Sequence, residues 1–327
     1  MMSTAADMVR EEIVTFHGAA GPLAGSLTLP ARGHSRGTVL ILPGSGAIDR
    51  DGNSKRLRMN IYRDLAQALT AQGFTTLRYD KRGVGRSPGD IYAVGFWDRV
   101  DDAEAAVRYL RSRNDGEREP VILLGHSEGC IIAPAVNRRQ EVDGIIFLAG
   151  PCESLDDTTA RQQAQAIADL ERAPGFTGSV LRLFNVPQSQ RRKSQAVMTR
   201  IRSTDQPWIR VSGVKLNAKW IREHLSHDVR DDLPAVRCPS LAITGTKDVQ
   251  VLPEHARLIA ETVSGPGEWH LVQDMTHLLR RTQEDQSILK LIKLYRRLGQ
   301  EPIDAELLSR IAAWLDVHFP GSAHQAS

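Results

Sequence analysis

Apolar and polar positions follow two different periods along the chain, and these periods predict its elements. Two runs with the composition of β-strands open the chain at 11–18 and 23–30, and the turn residues between them predict an antiparallel hairpin. Short, nearly continuous apolar runs then alternate with stretches that repeat every three to four residues. Buried strands are predicted at 37–44, 75–80, 121–125, 144–150, 239–245 and 268–274, and amphipathic helices at 58–73, 97–113, 131–139 and 253–263. This alternation predicts an α/β fold, a parallel sheet covered by helices on both faces.

The alternation stops between residues 151 and 230. That segment contains helical stretches at 158–173 and 197–203, and no run typical of a buried strand. Helices inserted after one strand of a parallel sheet predict a cap over the carboxyl ends of the strands, where open α/β sheets bind ligands. We therefore expect a core domain of residues 1–150 and 231–327 and a helical cap of residues 151–230. Two more helices are predicted at 285–299 and 304–319.

Composition and charge give no indication of a nucleic-acid-binding, membrane-spanning or disulfide-linked protein. The 327 residues are 41% hydrophobic and 25% charged, which is ordinary for a globular protein, and the net charge of +3 gives no reason to expect nucleic acid or an acidic membrane as a partner. No run has the length of a signal peptide or of a membrane span, and the three cysteines show neither metal-ligand spacing nor a disulfide framework. We therefore expect a cytoplasmic protein, and the sequence leaves open whether it forms a homo-oligomer.

One junction between a buried strand and a helix carries a serine between two glycines, in the run GHSEG at 125–129. Glycines at Gly125 and Gly129 permit a sharp turn that exposes the hydroxyl of Ser127. The helix that follows directs free N–H groups and the positive end of its dipole toward the same place. The alternative is an ordinary strand–turn–helix with a capping serine. We interpret Ser127 as the candidate nucleophile.

A serine hydroxyl is a weak nucleophile and needs a histidine base that a carboxylate orients. Asp248 follows the predicted strand at 239–245, and His277 lies in the loop after the next strand. Both loops are expected at the same edge of the sheet as Ser127, in the chain order serine, acid, histidine. Together they form the candidate catalytic set.

Other residues near this set have competing interpretations. Asp274 is close to His277 in sequence and is the alternative acid, although Asp248 has the better position relative to the strands. His224 and His227 belong to the inserted segment and are candidates for lining a pocket. His126 neighbours the nucleophile, but in a tight turn its side chain points away from it.

Acyl transfer places negative charge on a carbonyl oxygen, which backbone N–H groups must receive. One donor is expected from Glu128, the residue after the nucleophile, and the other from the glycine-rich loop at 42–54. By position the second donor is the N–H of Ser45, with Gly46 as the alternative. Three polar residues of this loop lack the EF-hand pattern and predict an Asx-stabilised turn rather than a calcium site: Asp49, Asp51 and Asn53.

These motifs together resemble the α/β-hydrolase superfamily. The run YDKRGVGRS at 79–87 is similar to its Asp-x-Arg-Gly-x-Gly-x-Ser loop, and GHSEG is similar to its nucleophile elbow. The segments GSGAIDRDGN, GTKDVQV and MTHLL are similar to those of bacterial serine esterases and serine aminopeptidase-like (S33-type) hydrolases. The resemblance implies the α/β-hydrolase fold, with a mostly parallel eight-stranded sheet. One departure is Pro43-Gly44, where many relatives carry His-Gly.

The resemblance also implies hydrolysis through an acyl-enzyme on Ser127, His277 and Asp248, with no metal and no cofactor. The leading expectation is a carboxylesterase for small to medium acyl esters. Hydrolysis of amide or peptide bonds, of thioesters or of C–C bonds remains an alternative, as does a non-catalytic binding protein of the same fold. The cap is expected to decide specificity, and its candidate substrate-binding residues are Trp208 and Trp220, together with Phe176 and Phe184.

Overall fold

In the residues that the computed structural model describes, 9–31, 34–113, 119–171, 186–284 and 291–321, eight strands form one sheet. The strands are β1 Val9–Gly18, β2 Gly21–Pro30, β3 Thr38–Leu42, β4 Thr75–Tyr79, β5 Val121–His126, β6 Gly144–Leu148, β9 Ser240–Gly245 and β10 Gly267–Val272. Their order across the sheet is β1-β2-β4-β3-β5-β6-β9-β10. The six strands from β4 to β10 pair in parallel, whereas β2 is antiparallel to both β1 and β4. The predicted sheet and its opening hairpin are confirmed.

Helices cover both faces of the sheet. Successive residues of a strand point to opposite faces, so each strand contributes side chains to both sides. Along β5, Val121 and Leu123 pack into one apolar cluster, and Ile122 and Leu124 pack into another. The first cluster includes residues of α2 Phe96–Ser112, α3 Gly129–Arg139 and α7 His255–Thr262. The second includes residues of α1 Ile61–Ala71 and α9 Ala305–His318, and a smaller cluster holds α8 Leu291–Leu298. Apolar side chains on both faces therefore fix the sheet in the interior, with its loops at the edges.

The inserted segment contains a β-hairpin as well as helices. Its elements are α4 Leu155–Glu171, α5 Val186–Arg202, β7 Trp208–Val211, β8 Val214–Asn217 and α6 Ala218–Leu225. The prediction of a purely helical segment is wrong at 208–217, where Ser212 and Gly213 turn the chain with φ angles of 48° and 82°. Each strand has four residues and only Ile209 is buried, so the hairpin lacks the apolar run of a buried strand. Phe176, Phe184 and residues 285–290 of a predicted helix lie outside the described residues.

Helix α6 is anchored on the start of α2. The side-chain amide of Asn217 donates hydrogen bonds to the carbonyl oxygens of Ile91, at 2.8 Å, and Val94, at 2.7 Å. The backbone N–H of Trp97 donates to the carboxylate of Glu223 at 3.0 Å. These contacts hold one part of the inserted segment beside the carboxyl ends of the strands. In the part of the chain that the structure describes, no helix has the length and apolar character needed to cross a membrane.

Candidate active site

Ser127 lies in a strained turn between β5 and α3. Its φ of 54° belongs to the left-handed region, which costs a residue other than glycine about 1–3 kcal/mol. A Cβ atom on Gly125 would lie 2.5 Å from backbone atoms of Gly129, and one on Gly129 would lie 2.1 Å from the carbonyl oxygen of Leu42. Both glycines are therefore required by close backbone approach. The N–H of Ser127 donates to the carbonyl oxygen of Leu148 at 3.0 Å, which ties the turn to the end of β6.

Asp248 and His277 are joined by a hydrogen bond. His277 Nδ1 donates to Oδ2 of Asp248 at 2.7 Å, and both side chains are buried. The other carboxylate oxygen of Asp248 accepts the N–H groups of Gln250, at 2.8 Å, and Val251, at 3.0 Å, which fixes its orientation. Because Nδ1 carries the proton that faces Asp248, Nε2 of the neutral ring is the nitrogen that can act as a base.

The competing sequence candidates lie in other surroundings. Asp274 accepts a hydrogen bond from the side-chain amide of Gln283 at 3.0 Å, so Asp248 is the acid that the structure brings to the histidine. His227 stacks on Phe96, and its Nε2 lies 3.1 Å from Oδ2 of Asp232. It therefore packs at the interface of α2 with the loop after α6.

His126 connects the serine turn to two neighbouring loops. Its Nε2 donates to the backbone carbonyl oxygen of His277 at 2.8 Å, since a carbonyl can only accept. Its Nδ1 must then accept from the hydroxyl of Tyr62 at 3.0 Å, and that oxygen accepts the N–H of Gly44 at 2.7 Å. Burial, reinforced by nearby His277, lowers the pKa of His126 to about 3 and keeps the ring neutral. Its position beside the serine was the only sequence signal for this role.

Glu128 provides a buried carboxylate next to Ser127. It forms an ion pair with Arg99 and accepts a hydrogen bond from Trp220 Nε1, and His224 Nε2 lies 3.3 Å from its Oε1. Burial alone would raise the pKa of this carboxyl, but Arg99 and His224 outweigh it and hold the pKa well below its usual range. Trp220 and His224 belong to α6, so the inserted segment contacts the residue that follows Ser127. The sequence predicts a role for the backbone N–H of Glu128 and none for its side chain, whose signal in the sequence is a charge between Ser127 and Gly129.

The two candidate substrate-binding tryptophans lie in different places. Trp208 is in β7, where Lys215 Nζ lies 4.4 Å and the Arg210 guanidinium 5.8 Å from its ring centroid. Trp220 lies against the elbow through Glu128, with the guanidinium of Arg99 5.7 Å from its ring centroid. Of the two, only Trp220 contacts the residue that follows Ser127.

The loop between β3 and α1 is held in place by Asp80, which follows β4. The N–H and guanidinium of Arg50 both donate to the Asp80 carboxylate at 2.8 Å. Within the loop, Oδ1 of Asp49 accepts the N–H groups of Asp51, at 3.0 Å, and Asn53, at 2.8 Å. The predicted Asx turn is confirmed, and no cluster of three metal-ligating side chains occurs among the described residues.

This loop approaches the serine closely. A Cβ atom on Gly44 would lie 3.2 Å from the Cβ of Ser127. No acceptor among the described residues receives a hydrogen bond from the N–H of Ser45 or of Glu128. These are the two N–H groups that the sequence predicts as oxyanion donors.

Known proteins include relatives of this chain. The model of the family described as serine aminopeptidase, S33, matches residues 56–284, more than half of the chain. The chain belongs to this hydrolase family. Esterase EstD from Thermotoga maritima is 25% identical to this S33-family hydrolase over 310 residues, which cover 93% of this chain and 67% of EstD.

Solved structures share the fold of this S33-family hydrolase. The Pyrococcus furiosus esterase Pf2001 superimposes with a TM-score of 0.61 at 17% identity, covering 98% of this chain and 96% of that one. The α/β hydrolase GrgF from Penicillium gives 0.60 at 18% identity, covering 95% of this chain and 100% of the other. At these identities the likeness is one of fold, and it confirms the predicted α/β-hydrolase fold.

Proposed function

We propose that this S33-family hydrolase is a carboxylesterase that works through an acyl-enzyme on Ser127. His277 is the base and Asp248 orients it. The observation that carries the proposal is the 2.7 Å hydrogen bond between Asp248 and His277. His126 ties the loop of His277 to the turn of Ser127, whose φ of 54° is typical of a nucleophile elbow. A serine that only caps a helix does not require a left-handed backbone conformation.

The reaction follows from the positions of the protons. Nε2 of His277 takes the proton of Ser127 as its Oγ attacks the ester carbonyl carbon, and the N–H groups of Glu128 and Ser45 receive the charge on the carbonyl oxygen. The imidazolium, which Asp248 stabilises, then gives the proton to the leaving alcohol as the C–O bond breaks. Water that loses a proton to His277 attacks the acyl carbon. The bond from that carbon to Oγ of Ser127 then breaks, His277 returns the proton to Oγ, and the carboxylic acid is released.

The pairing of the Glu128 carboxylate with neighbouring side chains favours esters over N-terminal peptide bonds as substrates. An aminopeptidase needs a carboxylate that is free to receive the α-ammonium group of its substrate. The carboxylate adjacent to the nucleophile is already paired with Arg99, Trp220 and His224. The name of the relative EstD also supports ester hydrolysis. On this proposal Trp220 borders the acyl site and small to medium acyl groups are the substrates.

A fluorophosphonate probe and a substrate panel test this proposal. The probe should label the wild type and should not label Ser127→Ala. The panel combines p-nitrophenyl esters of rising chain length with aminoacyl-arylamides, and we expect turnover of the shorter esters only. Equal labelling of both proteins would remove Ser127 as the nucleophile. Faster hydrolysis of the arylamides would replace the esterase proposal by an aminopeptidase.

A further inference from the structure

Lys81 is a buried cation that the proposed reaction does not use. It follows Asp80 after β4, its residue is 4% exposed, and its ammonium donates to the carbonyl oxygens of Gly44, at 2.8 Å, and Gly46, at 2.6 Å. Burial lowers the pKa of Lys81 to about 7, with Arg99 adding to the effect and Glu128 opposing it. Burying a charge is unfavourable, and an apolar side chain at this position would avoid that cost. The two contacts with the loop therefore indicate a function for the ammonium.

These two contacts fix the direction of particular N–H groups. A trans peptide unit is planar, and its C=O and N–H point in opposite directions. By holding the carbonyl of Gly44, Lys81 turns the N–H of Ser45 to the side away from itself. The N–H of Gly46 shares its plane with the carbonyl of Ser45, which Lys81 does not hold. The clamp therefore selects Ser45 over Gly46 as the oriented donor.

The neighbouring contacts occupy the N–H of Gly44 and leave that of Ser45 without an acceptor among the described residues. The N–H of Gly44 is already taken by the hydroxyl of Tyr62 at 2.7 Å. Gly44 itself packs against Ser127, since a Cβ atom on it would lie 3.2 Å from the serine Cβ. The peptide unit that joins Gly44 to Ser45 is therefore adjacent to the attacking group.

We propose that Lys81 is a positioning residue that aims the Ser45 N–H at the substrate oxyanion by clamping the carbonyls of Gly44 and Gly46. The proposal rests on the esterase function above. The oxyanion exists only in the transition state and the tetrahedral intermediate, so a misaimed donor lowers kcat and leaves KM nearly unchanged. Loss of one such donor lowers kcat by about 10²–10³-fold. Loss of its positioning alone should cost about 10–10²-fold on the same scale.

The test compares Lys81→Met and Lys81→Arg with the wild type on p-nitrophenyl butyrate, with active sites titrated by a fluorophosphonate. We expect K81M to lower kcat by about 10–10²-fold with KM within about twofold. A trifluoromethyl ketone, which forms a tetrahedral adduct bearing an oxyanion, should lose affinity by a similar factor. K81R should recover part of kcat, because a guanidinium can also donate to two carbonyls. If K81M does not fold, Lys81→Gln, which keeps one donor group, takes its place with the same expected split.

Arg82 supplies a matched control. It lies in the same segment and pairs with Asp98 and Asp102, without contact to the carbonyls of Gly44 or Gly46. Arg82→Met should lower the melting temperature and leave kcat unchanged. Wild-type kcat and ketone affinity in K81M, or an equal fall of kcat in R82M, would overturn the positioning role while the esterase stands. A wild type that neither reacts with the probe nor hydrolyses esters would overturn the proposed function and this inference together.

Discussion

The buried ion pair between Glu128 and Arg99 joins the turn of Ser127 to α2, and its contribution to stability can be measured. The Glu128→Gln substitution keeps the shape of the side chain and removes its charge. The two side chains are 4% and 6% exposed, so the substitution strands the guanidinium in the interior. Removing one partner of such a pair costs about 3–5 kcal/mol, a large part of the roughly 5–15 kcal/mol that stabilises a typical domain. The cost should be near the upper end, because Lys81 is a second buried cation close enough for Arg99 to lower its pKa.

Urea unfolding followed by far-UV circular dichroism measures this cost, and Arg99→Met completes a double-mutant cycle. Each single variant leaves one buried charge without its partner, whereas the double variant leaves none of the pair. We therefore expect the double variant to lose about 2–3 kcal/mol less than the sum of the single losses. Trp220→Phe is a smaller perturbation that removes one donor to the carboxylate and should cost about 1.5–3 kcal/mol. Strictly additive losses, or a loss below about 1 kcal/mol in E128Q, would refute the reasoning.

Three further predictions concern the same site. Asp248→Asn should favour the wrong tautomer of His277 and lower kcat by about 10⁴-fold in a folded protein, and p-nitrophenyl ester assays with less than a tenfold loss would contradict this. Gly129→Ala brings a methyl group to 2.1 Å from the Leu42 carbonyl, and its unfolding free energy should fall by at least about 1–3 kcal/mol, so wild-type stability would contradict the close approach. Because the pKa of His126 falls from 6.5 to about 3 on folding, the unfolded chain binds an extra proton between these values. Stability should therefore decrease by about 1.4 kcal/mol per pH unit as the pH drops below 6.5, and His126→Gln, compared by urea unfolding, should lose that part of the slope.

The strands and the candidate catalytic residues were accessible from sequence because each rests on a local pattern. The run at 121–125 is apolar at every position before its glycine, and the central strand it forms is buried throughout. Asp248 and His277 each follow such a strand, and parallel strands bring their carboxyl ends to one edge. The hairpin at 208–217 was not predicted, because strands of four residues with a single buried position are too short to show a recognisable apolar pattern.

The contacts of the side chains around Ser127 could not be predicted from the sequence for a different reason. His126 meets the carbonyl of His277 across 151 residues of chain, and Glu128 meets Trp220 across 92. Periodicity indicates which face of an element is buried, but it does not indicate which loop lies opposite. The clamp of Lys81 on Gly44 spans 37 residues and depends on the same long-range geometry. The sequence patterns therefore predict the candidate catalytic residues but not the side chains that contact their loops.

The two residues that flank Ser127 connect its turn to different neighbouring elements. His126 joins the turn to the histidine loop and, through Tyr62, to the loop of Gly44. Glu128 joins the same turn to α2 and α6, and its charge also raises the pKa of Lys81. Removing that charge should therefore lower the pKa of Lys81 further and weaken its hydrogen bonds to the carbonyls of Gly44 and Gly46. The carboxylate of Glu128 thus contacts α6 of the inserted segment and also acts on the ammonium that holds the glycine-rich loop at 42–54.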